Sequence, residues 1–153
     1  MSYALGTRSR ARLKGVHPDL VRVVEEAIKR TPTDFTVLEG LRTVERQTAL
    51  VAAGASQTMQ SRHLTGHAVD LGAMVGSEVR WDMGLYYPIA AAMRDAARLM
   101  AIPLRWGGCW LRIDTATRTP AQLVADYVAS RRLAGRKAFI DAPHFELWSG
   151  SYP

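Results

Sequence analysis

Two short stretches bring imidazoles and carboxylates close together in sequence, as acid–base or metal chemistry requires. Ser61-Arg62-His63-Leu64-Thr65-Gly66-His67-Ala68-Val69-Asp70 supplies two imidazoles and a carboxylate. Asp141-Ala142-Pro143-His144-Phe145-Glu146 supplies a third imidazole with a carboxylate on either side. The whole chain has only four histidines, His17, His63, His67 and His144, so three of the four fall in these stretches. Imidazole nitrogen and carboxylate oxygen are the donors that suit Zn²⁺. Histidines in loops are more often surface or core residues than ligands, and Asp-x-x-His arises by chance. The two clusters occurring together carry the weight that neither has alone.

The first cluster can be read in two ways. On a helix, His63 and His67 form an i, i+4 metal pair. The residue after His63 is then Leu64 rather than a general base, and Thr65-Gly66 makes a poor helix interior. Alternatively His63 ends a loop, Gly66 turns the chain, and a strand begins near His67. Alternation along that strand puts Ala68 and Asp70 on one face and His67 and Val69 on the other. His63 and Asp70 then converge while His67 points away, and this is the preferred reading. His144 offers a third ligand, and three protein ligands leave a position for water, which is the catalytic pattern. Pro143 holds Ala142 extended, so a turn there can bring Asp141 over that water. Glu146 lies on the same strand face as His144 and can orient an imidazole.

The elements that must hold these groups are short and mixed. A helix is expected over 17–30, with Leu20, Val23, Val24, Ala27 and Ile28 as its apolar stripe and Pro18 in its first turn. Phe35 to Glu39 reads as a strand. Thr43 caps a second helix that ends at Gly54. Residues 55–65 read as a loop and His67 to Met74 as a strand. Helices are expected over 85–100 and 120–134, with strands at 104–106, 110–113 and 145–148 around a Gly107-Gly108 turn. No βαβ alternation appears. The expected fold class is α+β, a small antiparallel sheet flanked by helices in a single compact domain over 1–153.

Composition narrows the partners. A chain of 153 residues can bury about 70% of its extended surface without cross-links. Cys109 is the only cysteine, so no internal disulfide exists. No apolar run approaches the roughly 18 residues of a membrane span. Met1 to Lys14 is polar and Arg-rich, so no classical signal peptide is expected. The net charge is +6, carried mostly by arginine. Such a balance attracts polyanions, but the arginines are scattered and no nucleic-acid motif accompanies them.

Ser61-x-His63-x-x-Gly66-x-Ala68-x-Asp70 with Asp141-x-x-His144-Phe145-Glu146 resembles the zinc D-Ala-D-Ala carboxypeptidase and L-alanyl-D-glutamate peptidase superfamily. The likeness is greatest to small phage endolysins. It extends to Gly15-Val16-His17-Pro18-Asp19-Leu20, to Phe35 through Thr43 and to Trp106-Gly107-Gly108, and so spans nearly the whole chain. The resemblance implies a peptidoglycan peptidase with His63, Asp70 and His144 on Zn²⁺ and Asp141 as the acid/base. It implies that Arg42 stabilises the polarised carbonyl or binds a substrate carboxylate. The bond most in keeping with it is L-Ala–D-Glu, the alternative being a terminal D-Ala–D-Ala. It implies a monomer acting on bacterial peptidoglycan, with no nucleic acid and no stable membrane insertion. Synthesis in a host cytoplasm, followed by holin-type release, would bring it to the wall. The stretch from Arg112 to Arg136 exceeds the shortest relatives and is expected to pack on the sheet.

Two other classes of function are open. Cys109, His144 and Asp141 could serve a thiol-dependent wall amidase, although Cys109 lies in a strand turn rather than at a helix N-terminus. A non-catalytic zinc module could adhere to wall polymers through its arginines, but Asp141 would then have no use.

Overall fold

The computed structural model describes residues 2–153. Helix α1 covers Thr7–Arg12, α2 Pro18–Arg30, α3 Val44–Ala52, α4 Met83–Met100 and α5 Pro120–Leu133. Strands are β1 Phe35–Glu39, β2 Ala68–Val75, β3 Glu78–Arg80, β4 Leu104–Trp106, β5 Leu111–Arg112 and β6 His144–Leu147. The strands form one antiparallel sheet in the order β1-β2-β6-β4-β5, with β3 hairpinned onto β2. The α+β expectation holds.

Local chemistry explains the expected elements. His17 caps α2, its ring Nδ1 accepting the Asp19 backbone N–H at 3.1 Å, and Pro18 follows at the first helical position. The stripe from Leu20 to Ile28 is buried, and α2 lies along α4, which buries Ile89, Met93 and Ala96. Each buried valine, leucine, isoleucine or methionine among them contributes roughly 1.5–3 kcal/mol on leaving water. Thr43 caps α3 by accepting from Arg46 N at 3.1 Å. The segment after β5 packs on a helix rather than on the expected sheet: α5 is held by a Thr119–Gln122 capping box, buries Leu123 and Val124, and lies against α4.

Two elements away from the metal-ligating cluster were not expected. Met1 to Lys14 contains α1, which docks on the edge strand β1 through polar groups. Ser9 Oγ accepts Val37 N–H at 3.0 Å and pairs with Thr36 Oγ1 at 2.9 Å, while an Arg12 Nη1 donates to Val37 O at 3.0 Å. A helix that covers a strand edge in this way has no apolar stripe to betray it. Strand β3 follows a two-residue turn, Gly76-Ser77, with Gly76 at φ +62°.

The register of the sheet builds the site. Asp70 on β2 lies directly opposite His144 on β6 and opposite Glu39 on β1, and Ala68 lies opposite Glu146. Side chains facing each other across antiparallel strands stand about 4.5–5.5 Å apart at Cβ. One row across three strands therefore carries Glu39, Asp70 and His144.

Candidate active site

His63 reaches this row from a 3₁₀ turn, Arg62–Thr65, in place of the expected plain loop. Ser61 Oγ caps the turn by accepting His63 N–H at 3.2 Å, and Gly66 ends it at φ +74°. A Cβ on Gly66 would lie 2.4 Å from the Gly15 carbonyl oxygen, so both the space and the left-handed backbone require glycine. An Arg62 Nη2 ties the turn to the end of the chain by donating to Leu147 O at 3.0 Å and Tyr152 O at 2.6 Å.

His63 Nε2 and His144 Nδ1 each stand 3.2 Å from Asp70 Oδ1. The donor atoms of these three residues all lie within 4.8 Å of one another. Tetrahedral ligands about 2.0–2.1 Å from zinc sit about 3.3 Å apart, so the set fits such an ion. The outward nitrogens are fixed as well. His63 Nδ1–H donates to Gly40 O at 2.8 Å and His144 Nε2–H to Glu146 Oε1 at 2.8 Å. Partners of this kind set the tautomer that leaves the inner nitrogen free for a metal. His67 faces away from the row; its Nδ1 meets Thr65 Oγ1 at 2.7 Å and its ring lies 5.6 Å from that of His17.

Asp141 and His144 are held together by the Trp106-Gly107-Gly108 turn. Asp141 N–H donates to Gly107 O at 2.9 Å, Gly107 N–H to His144 O at 2.8 Å, and His144 N–H to Asp141 O at 3.1 Å. A Cβ on Gly107 would lie 2.3 Å from Asp141 O, so only glycine allows the two segments to touch. The Asp141 carboxylate makes no hydrogen bond or ion pair among the described residues, and it lines an open cleft of about 720 Å³ with His63, Asp70 and His144. Burial, and then the charge of Asp70, push its carboxyl above the ordinary value; His144, His63 and Arg42 oppose them. A carboxylate with a raised pKa and no partner is suited to move protons.

Arg42 is not a surface arginine. Its side chain is 8% exposed. Its Nε and Nη2 grip both oxygens of Glu39 at 2.9 and 2.8 Å, Nη1 donates to Gln47 Oε1 at 2.7 Å, and Nη2 comes within 3.5 Å of Asp70. Gln47, fully buried on α3, also donates to Ser56 Oγ and Thr58 O, which ties the 55–60 loop to Arg42. Neither Gln47 nor Glu39 was expected at the site from sequence. Gln47 left no trace in the sequence, since α3 has five apolar residues of nine and yet Gln47 is its only buried residue.

Cys109 is 2% exposed, does not line the cleft, and burial pushes its thiol up, all of which suppress a thiolate nucleophile.

Residues 1–148 match the family model described as phage L-alanyl-D-glutamate peptidase. The chain belongs to that family. It is 32% identical over 114 residues to the L-alanyl-D-glutamate peptidase of Escherichia phage T5, a match covering 72% of this chain and 83% of that one. The crystal structure of the Serratia marcescens L-Ala D-Glu endopeptidase ChiX superposes with a TM-score of 0.77 and 41% identity, covering 99% of this chain and 95% of that one. The vancomycin-resistance D,D-dipeptidase VanXYg shares the fold at a TM-score of 0.50 and 16% identity, covering 86% of this chain and 50% of that one. Among the described residues no helix is long and apolar enough to cross a membrane.

The charges of the site make a prediction for the metal-free chain. Burial alone would lower His144, but hydrogen bonds to Asp70 and Glu146 raise it from 6.5 to about 9. Burial alone would raise Asp70, but hydrogen bonds from His144 and His63 hold it below its ordinary 3.8. A raised histidine stabilises fully below its unfolded pKa and is lost as pH rises through its folded pKa; a lowered carboxylate stabilises above its unfolded pKa and is lost as pH falls through its folded one. The chelated chain is therefore expected to be most stable between about pH 4 and 6.5, with a melting temperature that drops by several degrees as pH rises towards 9. Thermal unfolding in chelator across that range checks it. Mutating Asp70 to Asn should flatten the alkaline decline.

Proposed function

We propose that this chain is a zinc peptidase that hydrolyses the L-Ala–D-Glu bond of peptidoglycan stem peptides. The observation that carries the reading is the convergence of His63, Asp70 and His144 on one point of a cleft that also holds the unpaired Asp141 carboxylate. Family membership supplies the bond.

Zinc at a three-ligand site supplies an acidified water and a charge that polarises a carbonyl. The chain's own residues do the rest. Asp141 accepts the proton of the attacking water and returns it to the leaving amine nitrogen. Arg42, held rigid by Glu39 and Gln47, stabilises the negative charge developing on the carbonyl oxygen. Gly40 and Glu146 keep the two imidazoles in their ligating orientation.

Residues 1–153 act as one catalytic domain, and the +6 charge draws it to anionic wall polymers. The same reading makes it a monomer that needs no nucleic acid. It is made in the host cytoplasm and reaches the wall through a holin-type lesion.

Mass spectrometry of digested peptidoglycan tests the proposal. New termini of L-Ala and D-Glu are expected, abolished by chelation and restored by Zn²⁺. Release of terminal D-Ala alone would reassign the bond. Full activity of a demonstrably metal-free sample would end the zinc reading.

A further inference from the structure

The cleft is lined by three arginines, Arg42, Arg62 and Arg105, and they differ in what their donors already do. Arg42 commits four of its five N–H groups to Glu39, Gln47 and Asp70. Arg62 spends Nη2 on two backbone carbonyls, its Nε is buried without a hydrogen bond 3.9 Å from Glu146, and its side chain is only 20% exposed. Arg105 is different. Only its Nε is hydrogen-bonded, to Trp110 O at 2.9 Å, and its nearest carboxylate, Glu146, stands 3.6 Å from Nη1, too far for a hydrogen bond. Its side chain is 38% exposed, so the guanidinium presents free donors to the cleft.

Arg105 is also held in place. It lies over the Trp110 ring, 5.1 Å from its centroid. Trp110 adopts a left-handed φ of +60°, rare for a bulky side chain, and its Nε1–H donates to Phe139 O at 2.7 Å. The same ring lies 5.4 Å from that of His144 and 6.1 Å from that of Phe139. The guanidinium, its Nη groups free of hydrogen bonds, is therefore fixed one ring away from the reacting centre. Strained backbone that aims a side chain into a site is a usual place to store such geometry.

The substrate chemistry supplies what this cation lacks. A glutamyl residue has two carboxyl groups, and chain linkage uses one. The other remains a free carboxylate within a few bonds of the leaving nitrogen. We infer that Arg105, seated on Trp110, binds the free carboxylate of the D-Glu residue and sets specificity for an acidic residue after the scissile bond. The inference rests on the L-Ala–D-Glu assignment. A planar fork with free donors matches a carboxylate in a way that a lysine would not.

The test uses two stem-type peptides that differ only in that free group, carboxylate in one and carboxamide in the other. Wild type is expected to favour the carboxylate roughly 10–100-fold in kcat/KM, the share of one charge-assisted hydrogen-bonded pair. Arg105→Gln should bring the ratio close to one, by losing rate on the carboxylate peptide while keeping its rate on the amide and one zinc per chain. Arg105→Lys should restore part of the preference. An Arg105→Gln variant that slows both peptides equally would give Arg105 only a supporting role towards Glu146 and Trp110, and would overturn the inference. So would a wild type that cuts both peptides at the same rate. A wild type that cuts neither would overturn the L-Ala–D-Glu assignment itself.

Discussion

Replacing Asp141 with Asn is expected to leave one zinc per chain and to lower turnover by roughly 10²–10⁴, the usual share of general acid–base catalysis. The two effects separate because of how Asp141 is held. Its backbone is fixed by Gly107 O and His144 N, so the loop needs nothing from the carboxylate. The side chain has no ion pair or hydrogen bond to lose among the described residues, and Asn keeps its size. Burial and the Asp70 charge already disfavour the ionised form, so removing the charge carries little stability cost. Zinc stoichiometry and hydrolysis rate should be measured on one purified sample. Near-normal hydrolysis would remove Asp141 from the mechanism. Loss of zinc together with hydrolysis would make it a ligand.

Local signals make much of this arrangement legible in the sequence. Phe35–Glu39 is a strand and Thr43 a helix cap because each depends on a few adjacent residues. Strand parity after Gly66 sends Asp70 to the cleft and His67 away from it, and the same parity pairs His144 with Glu146. Long-range register was not legible. Nothing near Asp70 says that His144, 74 residues on, will be its cross-strand neighbour. Helix α1 was hidden because it docks through Ser9 and Arg12 rather than an apolar stripe. Arg105 could not be told from the other arginines, since what distinguishes it is the donors it leaves unused and the Trp110 ring beneath it. The Gly76-Ser77 hairpin did carry a readable signal, a short turn pair between strand-like residues.

His63→Ala and His144→Ala are each expected to lose zinc and to fall to background activity, but they should differ in the metal-free state. His144 sits between two carboxylates, at 3.2 Å from Asp70 and 2.8 Å from Glu146. Alanine there removes the imidazolium that joins two mostly buried carboxylates. The arginines that still face them, Arg42 at 3.5 Å from Asp70 and Arg105 at 3.6 Å from Glu146, replace only part of its charge and none of its hydrogen bonds, so the variant should be destabilised. The outer nitrogen of His63 meets only a backbone carbonyl, Gly40 O, so His63→Ala should unfold closer to the chelated wild type. That makes His63→Ala the cleaner test of ligation and His144→Ala the test of the charge array. Glu146→Gln falls between them. It keeps a hydrogen-bond acceptor for His144 Nε2–H but removes the charge, and loss of such an outer partner typically costs 10–100-fold in metal affinity. His67→Ala, on the far face of the strand, should change neither zinc content nor rate. Zinc competition titrations and melting in chelator on the four variants read both quantities. Retention of zinc by His63→Ala would dissolve the ligand set. Loss of zinc on His67→Ala as well as on His63→Ala would mean that the i, i+4 helical pairing describes the metal-bound chain.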